Sequence, residues 1–260
     1  MKRERLSHAL QWVDELAGQL RQQPARNVRQ KTGHQDLVSA QDEQVERQLR
    51  QLIGTHFSQD GVLAEEGTAV HSQGGGLWVI DPIDGTTNYL SRHRDFSISL
   101  AFVMDGVTQF GLVADVMAGT LYRTEQGGGA WRDGLSLTAA NVGAISDMIL
   151  TTPVVNHLLL DEHPRRSAFQ QMAQEVRAVR SAGCVSLELC QVAAGEAQVM
   201  VAMCASPWDY AAGKLLVEEV GGCLCTLEGD PLPPLHNGAV VACASKLIQE
   251  KIMPYLRAAL

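Results

Sequence analysis

Leu77-Trp-Val-Ile80 runs straight into Asp81-Pro-Ile-Asp84-Gly85-Thr86-Thr87-Asn88, an apolar tetrad followed by two carboxylates, a proline, a glycine and two hydroxyls. Short apolar runs closed by turn residues predict strands. This one has companions: Gly61-Val-Leu-Ala64 before it, and Phe96–Val103, Gln109–Ala114 and Gly119–Arg123 after it. Asp105-Gly106 and Met117-Ala-Gly119 read as turns between antiparallel neighbours, and Gly127-Gly-Gly129 ends the series in a mobile or tightly turned loop. The middle of the first half is therefore expected to be a sheet. Two helices come ahead of any strand. Leu6, Leu10, Val13, Ala17 and Leu20 make one stripe over 6–20; after a loop at 24–35, Ser39-Ala-Gln-Asp42 opens a second helix that Val45, Leu49, Leu52 and Ile53 continue.

From about residue 145 the pattern alternates. Met148–Thr151, Val179, Val199–Ala202, Cys223–Thr226 and Ala239–Ala242 read as strands, with helices over 166–177, 184–194, 210–220 and from Ser245 onward. That rhythm is α/β.

The chain has 260 residues, 45% of them hydrophobic, which suffices for a sizeable core and excludes disorder. Lys plus Arg number 21 against 29 Asp plus Glu, a net charge of -8, so no basic surplus exists to grip nucleic acid or an anionic membrane. The charged start, Met1–His8, has no apolar run behind it, and no stretch approaches the ~18 apolar residues of a membrane span. A cytoplasmic setting is the expectation. The six cysteines, all in the second half, lack paired C-x-x-C spacing and read as reduced thiols. His34, His71 and His93 are scattered and read as loop histidines rather than metal ligands.

Three acidic elements carry the chemistry: Glu65-Glu66 after the 61–64 run, Asp81 to Asp84 after Ile80, and Trp208-Asp209 at a helix start. Carboxylates gathered at strand ends make a hard-oxygen site suited to Mg2+. Pro82 fixes a bend, so that Asp81 and Asp84 face one cation pair rather than diverge. A helix or tight turn beginning at Gly85-Thr86 presents free amides to a phosphate. Cations beside amides suit phosphomonoester hydrolysis, with a hydroxyl such as Thr86 orienting the attacking water. Each element alone has a plainer reading. Glu65-Glu66 is a solvated loop pair, Asp209 an N-cap, Asp81–Thr86 a turn, and Ser39 with Asp42 a helix cap. Those readings leave their joint occurrence in this order unexplained.

Together, Glu65-Glu66, Asp81–Asn88 and Trp208-Asp-Tyr-Ala-Ala-Gly213, with Lys31, Asp36-Leu-Val-Ser39 and Asp42 upstream, resemble the inositol monophosphatase family of metal-dependent phosphatases. The likeness runs almost end to end and includes Gly127–Gly134 and Glu219-Val-Gly-Gly222. It implies a layered α-β-α-β-α sandwich, mixed α/β in class, that forms a homodimer and hydrolyses small phosphate monoesters with two or three Mg2+. It also implies a single catalytic unit over 1–260, with an N-terminal α+β half at 1–143 and a C-terminal α/β half at 144–260. By matching position, Glu65, Asp81 and the Ile83 carbonyl hold one metal, and Asp81, Asp84 and Asp209 hold a second. Glu66 and Thr86 activate the water, and the Gly85 and Thr86 amides hold the phosphate. Asp42 belongs to the outer shell of a third metal, and Lys31 to a loop that closes over it. Gly183, Ala202 and Asp209 stand on the substrate side. Asp84→Asn is expected to end turnover with the fold intact.

Departures from the family pattern bear on substrate. Inositol phosphatases of the family carry an acidic residue seven positions before the Asp of Trp-Asp; here it is Ala202, which accepts no hydrogen bond, so polyol specificity is weakened. Cys184 and Val185 replace small or hydroxylated residues after Arg180 and Gly183. Arg92-His93-Arg94 reads either as a basic rim for a second anionic group or as a solvated loop balanced by Asp95, and the loop is the commoner case. Thr87-Asn88 stands where the nucleotidase branch has Lys-Glu, against a 3'(2'),5'-bisphosphate nucleotidase. A noncatalytic binding protein on the same fold is the remaining alternative.

Overall fold

Helices α1 (Lys2–Gln22) and α2 (Ala40–His56) form where the stripes place them. The computed structural model of the chain describes residues 2–23, 29–30, 37–140, 142–155, 166–233 and 235–257. Between the two helices lies an antiparallel pair, β1 (Arg29–Gln30) with β2 (Leu37–Val38). It corrects the expectation of no strand ahead of the sheet, because two-residue ladders carry no alternation to read.

A seven-stranded sheet follows in chain order: β3 (Gly61–Ala64), β4 (Leu77–Asp84), β5 (Ser97–Met104), β6 (Val107–Asp115), β7 (Thr120–Glu125), β8 (Gly129–Arg132) and β9 (Leu135–Ser136). Helix α3 (Thr86–Arg92) sits between β4 and β5. Only β3 and β4 pair in parallel. The glycine run at 127–129 does not close the series as expected. Gly127 (φ 67°) and Gly129 (φ 96°) turn the chain back into β8, and their amides donate to the Glu219 carboxylate at 2.7 and 2.8 Å. Nor does β4 stop at Ile80. It runs on to Asp84 through a register shift between Asp81 and Asp84, where Pro82 sits without a ladder hydrogen bond to lose.

After β10 (Ile149–Thr151) come α4 (Arg166–Glu175), β11 (Ala178–Arg180), α5 (Val185–Ala193), β12 (Val199–Ala205), α6 (Pro207–Glu219), β13 (Cys223–Cys225), β14 (Gly238–Cys243) and α7 (Lys246–Arg257). Their five strands form a mixed sheet ordered β11-β10-β12-β14-β13. Strand alternation sorts the layers. Trp78, Ile80, Ile98, Leu100 and Phe102 face a core shared with α1 and α2, whereas Val79, Ala101 and Val113 face a second core that α5 and α6 share with the five-stranded sheet. Helices α4 and α7 pack together, and α7 lies on β14. The layers are α-β-α-β-α, as expected. All six cysteines are free; five are buried and Cys204 is exposed. Among the described residues no helix is long and apolar enough to cross a membrane.

Small residues set how closely α6 approaches the first sheet. A Cβ on Gly111 in β6 would lie 2.8 Å from the Ala212 Cα, three residues past Asp209. Gly111→Val is therefore expected to cost about 1–3 kcal/mol through overpacking and to lower activity by shifting the helix that carries Asp209. Gly54→Ala in α2, where the new Cβ meets nothing within 4 Å, serves as the control. Thermal melting of the pair checks it, and equal melting temperatures would remove the packing argument.

Candidate active site

Each acidic element enters the same space from a different strand or helix. Glu65 follows β3, Asp81 and Asp84 close β4, Asp42 sits in the first turn of α2, and Asp209 in the first turn of α6. Asp42 (0% exposed), Asp81 (1%) and Asp84 (7%) are buried, against the usual fate of carboxylates. Burial pushes the Asp81 carboxyl well above its ordinary range, and the charges of Glu65, Asp84, Asp209 and Asp42 push it further. Asp209 is raised well above by burial, then by Asp84 and Glu65. Glu65, Asp81, Asp84, Asp209 and Asp42 are thus one like-charge cluster.

Backbone amides aim these side chains. Two of the helix starts are capping boxes: Ser39 N donates to Asp42 Oδ2 at 2.9 Å, and Ser206 N donates to Asp209 Oδ2 at 2.7 Å. The plain reading of Ser39 with Asp42 as a helix cap is correct in itself, whereas Asp209 is not the N-cap that its place before Tyr210 suggested. Pro207 starts the helix earlier, Ser206 caps it and Asp209 is its third residue, and Asp42 and Asp209 both join the cluster. The Ile83 amide donates to Asp81 Oδ1 at 3.0 Å. The first amides of α5, from Val185 and Ser186, reach Asp84 Oδ1 at 3.2 Å and Oδ2 at 2.6 Å. That uses both Asp84 oxygens, so Asp84→Asn sets an NH2 group against an N–H, and the expectation of an undisturbed fold in that variant is withdrawn.

Gly85 takes φ 85° as the N-cap of α3, and the Asn88 and Tyr89 amides turn back onto its carbonyl. The Gly85 and Thr86 amides precede the first intrahelical bond. Thr86 Oγ1 lies 3.2 Å from Asp42 Oδ1 and 3.1 Å from the Ile83 carbonyl. The resemblance pairs Thr86 with Glu66 for activating the water; the Thr86 hydroxyl, with one proton to give, stands within hydrogen-bond distance of both Asp42 and the Ile83 carbonyl. Glu66 is half-buried beside the cluster, its amide donating to Glu46 Oε2 at 2.7 Å.

Gly183 lies against the Asn88 side chain with φ 76°. Ala202 is fully buried in β12, opposite Val240. The register of β12 shifts between Ala202 and Ala205, and the residues turned outward there are Met203 and Cys204. Arg92 and Arg94 pair with Asp95 at 3.0 and 3.5 Å, and the His93 ring packs on Tyr89 and Phe96, which is the balanced-loop reading. Lys31 and His34 lie outside the described residues, and His71 is exposed. Sequence reasoning missed Glu46, buried at 3% and bonded to Arg50 Nε at 2.6 Å. Its signal was present: Asp42, Val45, Glu46, Leu49 and Ile53 are one helical stripe, with two carboxylates on a buried face.

The residues fit divalent cations by donor chemistry, since buried oxygen anions of one sign call for hard positive charge. Among the described residues no three acidic, imidazole or thiol side chains stand at ligand spacing around one point, so the fit rests on donor type and charge.

A family model described as the inositol monophosphatase family matches residues 2–260. The chain belongs to that family. An inositol-1-monophosphatase of Bacillus subtilis is 34% identical over 96% of both chains. Among solved structures, a Thermotoga maritima IMPase superposes with a TM-score of 0.88 at 26% identity over 98% of each chain. An IMPase/NADP phosphatase complexed with Mg2+ and phosphate gives 0.86 at 25% identity, covering 98% of this chain and 94% of that one. Like other members, this inositol monophosphatase family protein is a phosphoric monoester hydrolase, and its acidic cluster lies where β4, α2, α3 and α6 converge.

Proposed function

We propose that the protein hydrolyses a small polyol or sugar phosphate, using two or three Mg2+ held by Glu65, Asp81, the Ile83 carbonyl, Asp84 and Asp209, with Asp42 in the outer shell. The observation that carries it is the buried cluster of like charges, in which Asp81 is pushed up by four neighbouring acids. When bound, the cations neutralise phosphate charge and acidify a water. Everything else falls to the chain. The Thr86 hydroxyl donates toward Asp42 Oδ1 and the Ile83 carbonyl, which leaves a Thr86 lone pair to accept from the attacking water and orient it. The Gly85 and Thr86 amides at the start of α3 hold phosphate oxygens. Glu66, on the loop fixed through its amide by Glu46, serves as the general base beside them.

Substrate choice follows from what the site lacks. Alanine at position 202 carries no side-chain acceptor for inositol hydroxyls, and the ranking of myo-inositol 1-phosphate below sugar phosphates is part of the proposal. Arg92 and Arg94 are engaged with Asp95, which weighs against a bisphosphate nucleotidase. A homodimer and a cytoplasmic setting complete the reading; light scattering on the eluted protein checks the first.

Phosphate release from inositol 1-phosphate, sugar phosphates, fructose 1,6-bisphosphate and adenosine 3',5'-bisphosphate, with Mg2+ and with chelator, tests the whole. Turnover that Mg2+ supports and chelator abolishes is expected for at least one polyol or sugar phosphate. Silence across the panel, in a protein that still binds Mg2+ by calorimetry, would favour the noncatalytic alternative.

A further inference from the structure

We infer that Glu188 is a positioning residue for this site, holding the Ala182–Gly183 turn so that the first amides of α5 stay on Asp84; only its kinetic consequence rests on the phosphatase reading. Glu188 is on α5 and fully buried, although it lies outside every acidic motif; among the candidate cation ligands it feels the charge of Asp84. A buried carboxylate away from the reacting centre needs a reason.

The reason is a turn gripped from both sides. Glu188 Oε1 accepts the Ala182 amide at 2.7 Å and the Gly183 amide at 3.2 Å. On the opposite edge, Asn88 Nδ2 donates to the carbonyls of Ala182 at 2.6 Å and Gly183 at 3.3 Å, and Arg92 Nη2 donates to Ala182 at 3.3 Å. One grip therefore comes from α5 and the other from α3, the helix that opens with Gly85 and Thr86. Immediately after the turn, Val185 and Ser186 place their amides on the two oxygens of Asp84. A displaced turn moves those amides with it.

Both turn amides share one oxygen of Glu188, so the grip needs an acceptor there and not a charge. The other oxygen, Oε2, and the Thr151 hydroxyl are each buried without a hydrogen bond of good geometry, and Thr151 opposes the effect of burial on the Glu188 carboxyl. Glutamine reproduces this arrangement: its carbonyl accepts from Ala182 and Gly183 while its NH2 meets Thr151. Leucine fills the volume and accepts nothing. Aspartate keeps the charge but falls one methylene short.

The test compares the full-length protein with Glu188→Gln, Glu188→Leu and Glu188→Asp. Amide hydrogen exchange over 182–186 is read in metal-free buffer, and kcat, KM and the half-saturating Mg2+ concentration on the best substrate. Glu188→Gln is expected to keep wild-type protection, with kcat within about 3-fold. Glu188→Leu and Glu188→Asp should exchange faster over 182–186, lose kcat by about 10- to 100-fold, need more Mg2+ and keep KM within about 3-fold. Should the leucine variant fail to fold, the aspartate variant decides. Normal protection and kcat in a folded leucine or aspartate variant, or a glutamine variant as damaged as either, overturns the inference. A wild type that releases no phosphate sinks the phosphatase reading instead, and the exchange result still decides the turn.

Discussion

Asp81→Asn is expected to end phosphate release and, in the metal-free protein, to raise the melting temperature. Asp81 is the most crowded of the acids, with Glu65, Asp84, Asp209 and Asp42 all acting on it at 1% exposure. Asparagine keeps the acceptor for the Ile83 amide, which uses one oxygen, and puts an uncharged amide where Glu65, Asp84, Asp209 and Asp42 now face a like charge. Stability therefore gains from one lost repulsion. Activity loses a charge proposed to face both cations, on the order of 10³-fold or more, or ~4 kcal/mol of barrier. The pH dependence has a definite sign. Carboxyls raised on folding stabilise the protein below their ordinary range, and that contribution is lost as pH rises through the raised values. Metal-free wild type should lose stability on this account as pH rises above the ordinary carboxylate range, and the variant less so. Added Mg2+ should raise the wild-type melting temperature at pH 8 and far less at pH 5. Calorimetry at both pH values checks this, and an Asp81→Asn protein that melts below wild type in chelator at pH 8 would contradict the repulsion argument.

Asp60→Ala is the largest expected loss of stability. Asp60, its side chain fully buried at the start of the sheet, accepts Arg5 Nε at 2.7 Å, Arg5 Nη2 at 2.8 Å, Trp78 Nε1 at 2.9 Å and the Gly76 amide at 3.1 Å. The guanidinium also lies over the Phe57 and Phe102 rings at 4.6 and 5.1 Å, with only 11% of the Arg5 side chain exposed. Truncation takes a buried carboxylate away from Arg5, the Trp78 indole and the Gly76 amide, at about 3–5 kcal/mol, or roughly 10 °C in a chain of this size. Replacing Arg5 by Met in the same protein should recover much of that. Although burial opposes it, the bonds from Arg5 and Trp78 hold the Asp60 carboxyl below its usual range. Its stabilisation is present above the ordinary carboxylate pKa and disappears as pH falls through the lowered value, opposite in sign to Asp81. A double-mutant cycle at pH 7 and pH 3 measures both. A single-variant cost under 1 kcal/mol would mean that Arg5 finds water.

Most elements were legible because each rests on local physics. The stripes of α1 and α2, the short runs of the first sheet and the α/β alternation after 145 report which face is buried, and burial imposes its period on the sequence. The Asp81–Asn88 motif likewise names its own chemistry, since proline, glycine and paired carboxylates restrict what the backbone and the charges can do. What escaped has no local signature. The β1–β2 pair is too short to alternate, and the continuation of β4 past Pro82 depends on a bulge opposite Ser97.

The sequence by itself determined which residue types the site would contain, because the motifs supply carboxylates, a hydroxyl and first-turn amides in fixed order. Tertiary structure alone decided their partners. Thr86 meets Asp42 across 44 positions and Asp84 meets Ser186 across 102, while Ala202 is buried in β12. A hydrogen bond between distant segments depends on strand register and helix placement, which are set by the packing of whole layers and leave no trace in local spacing.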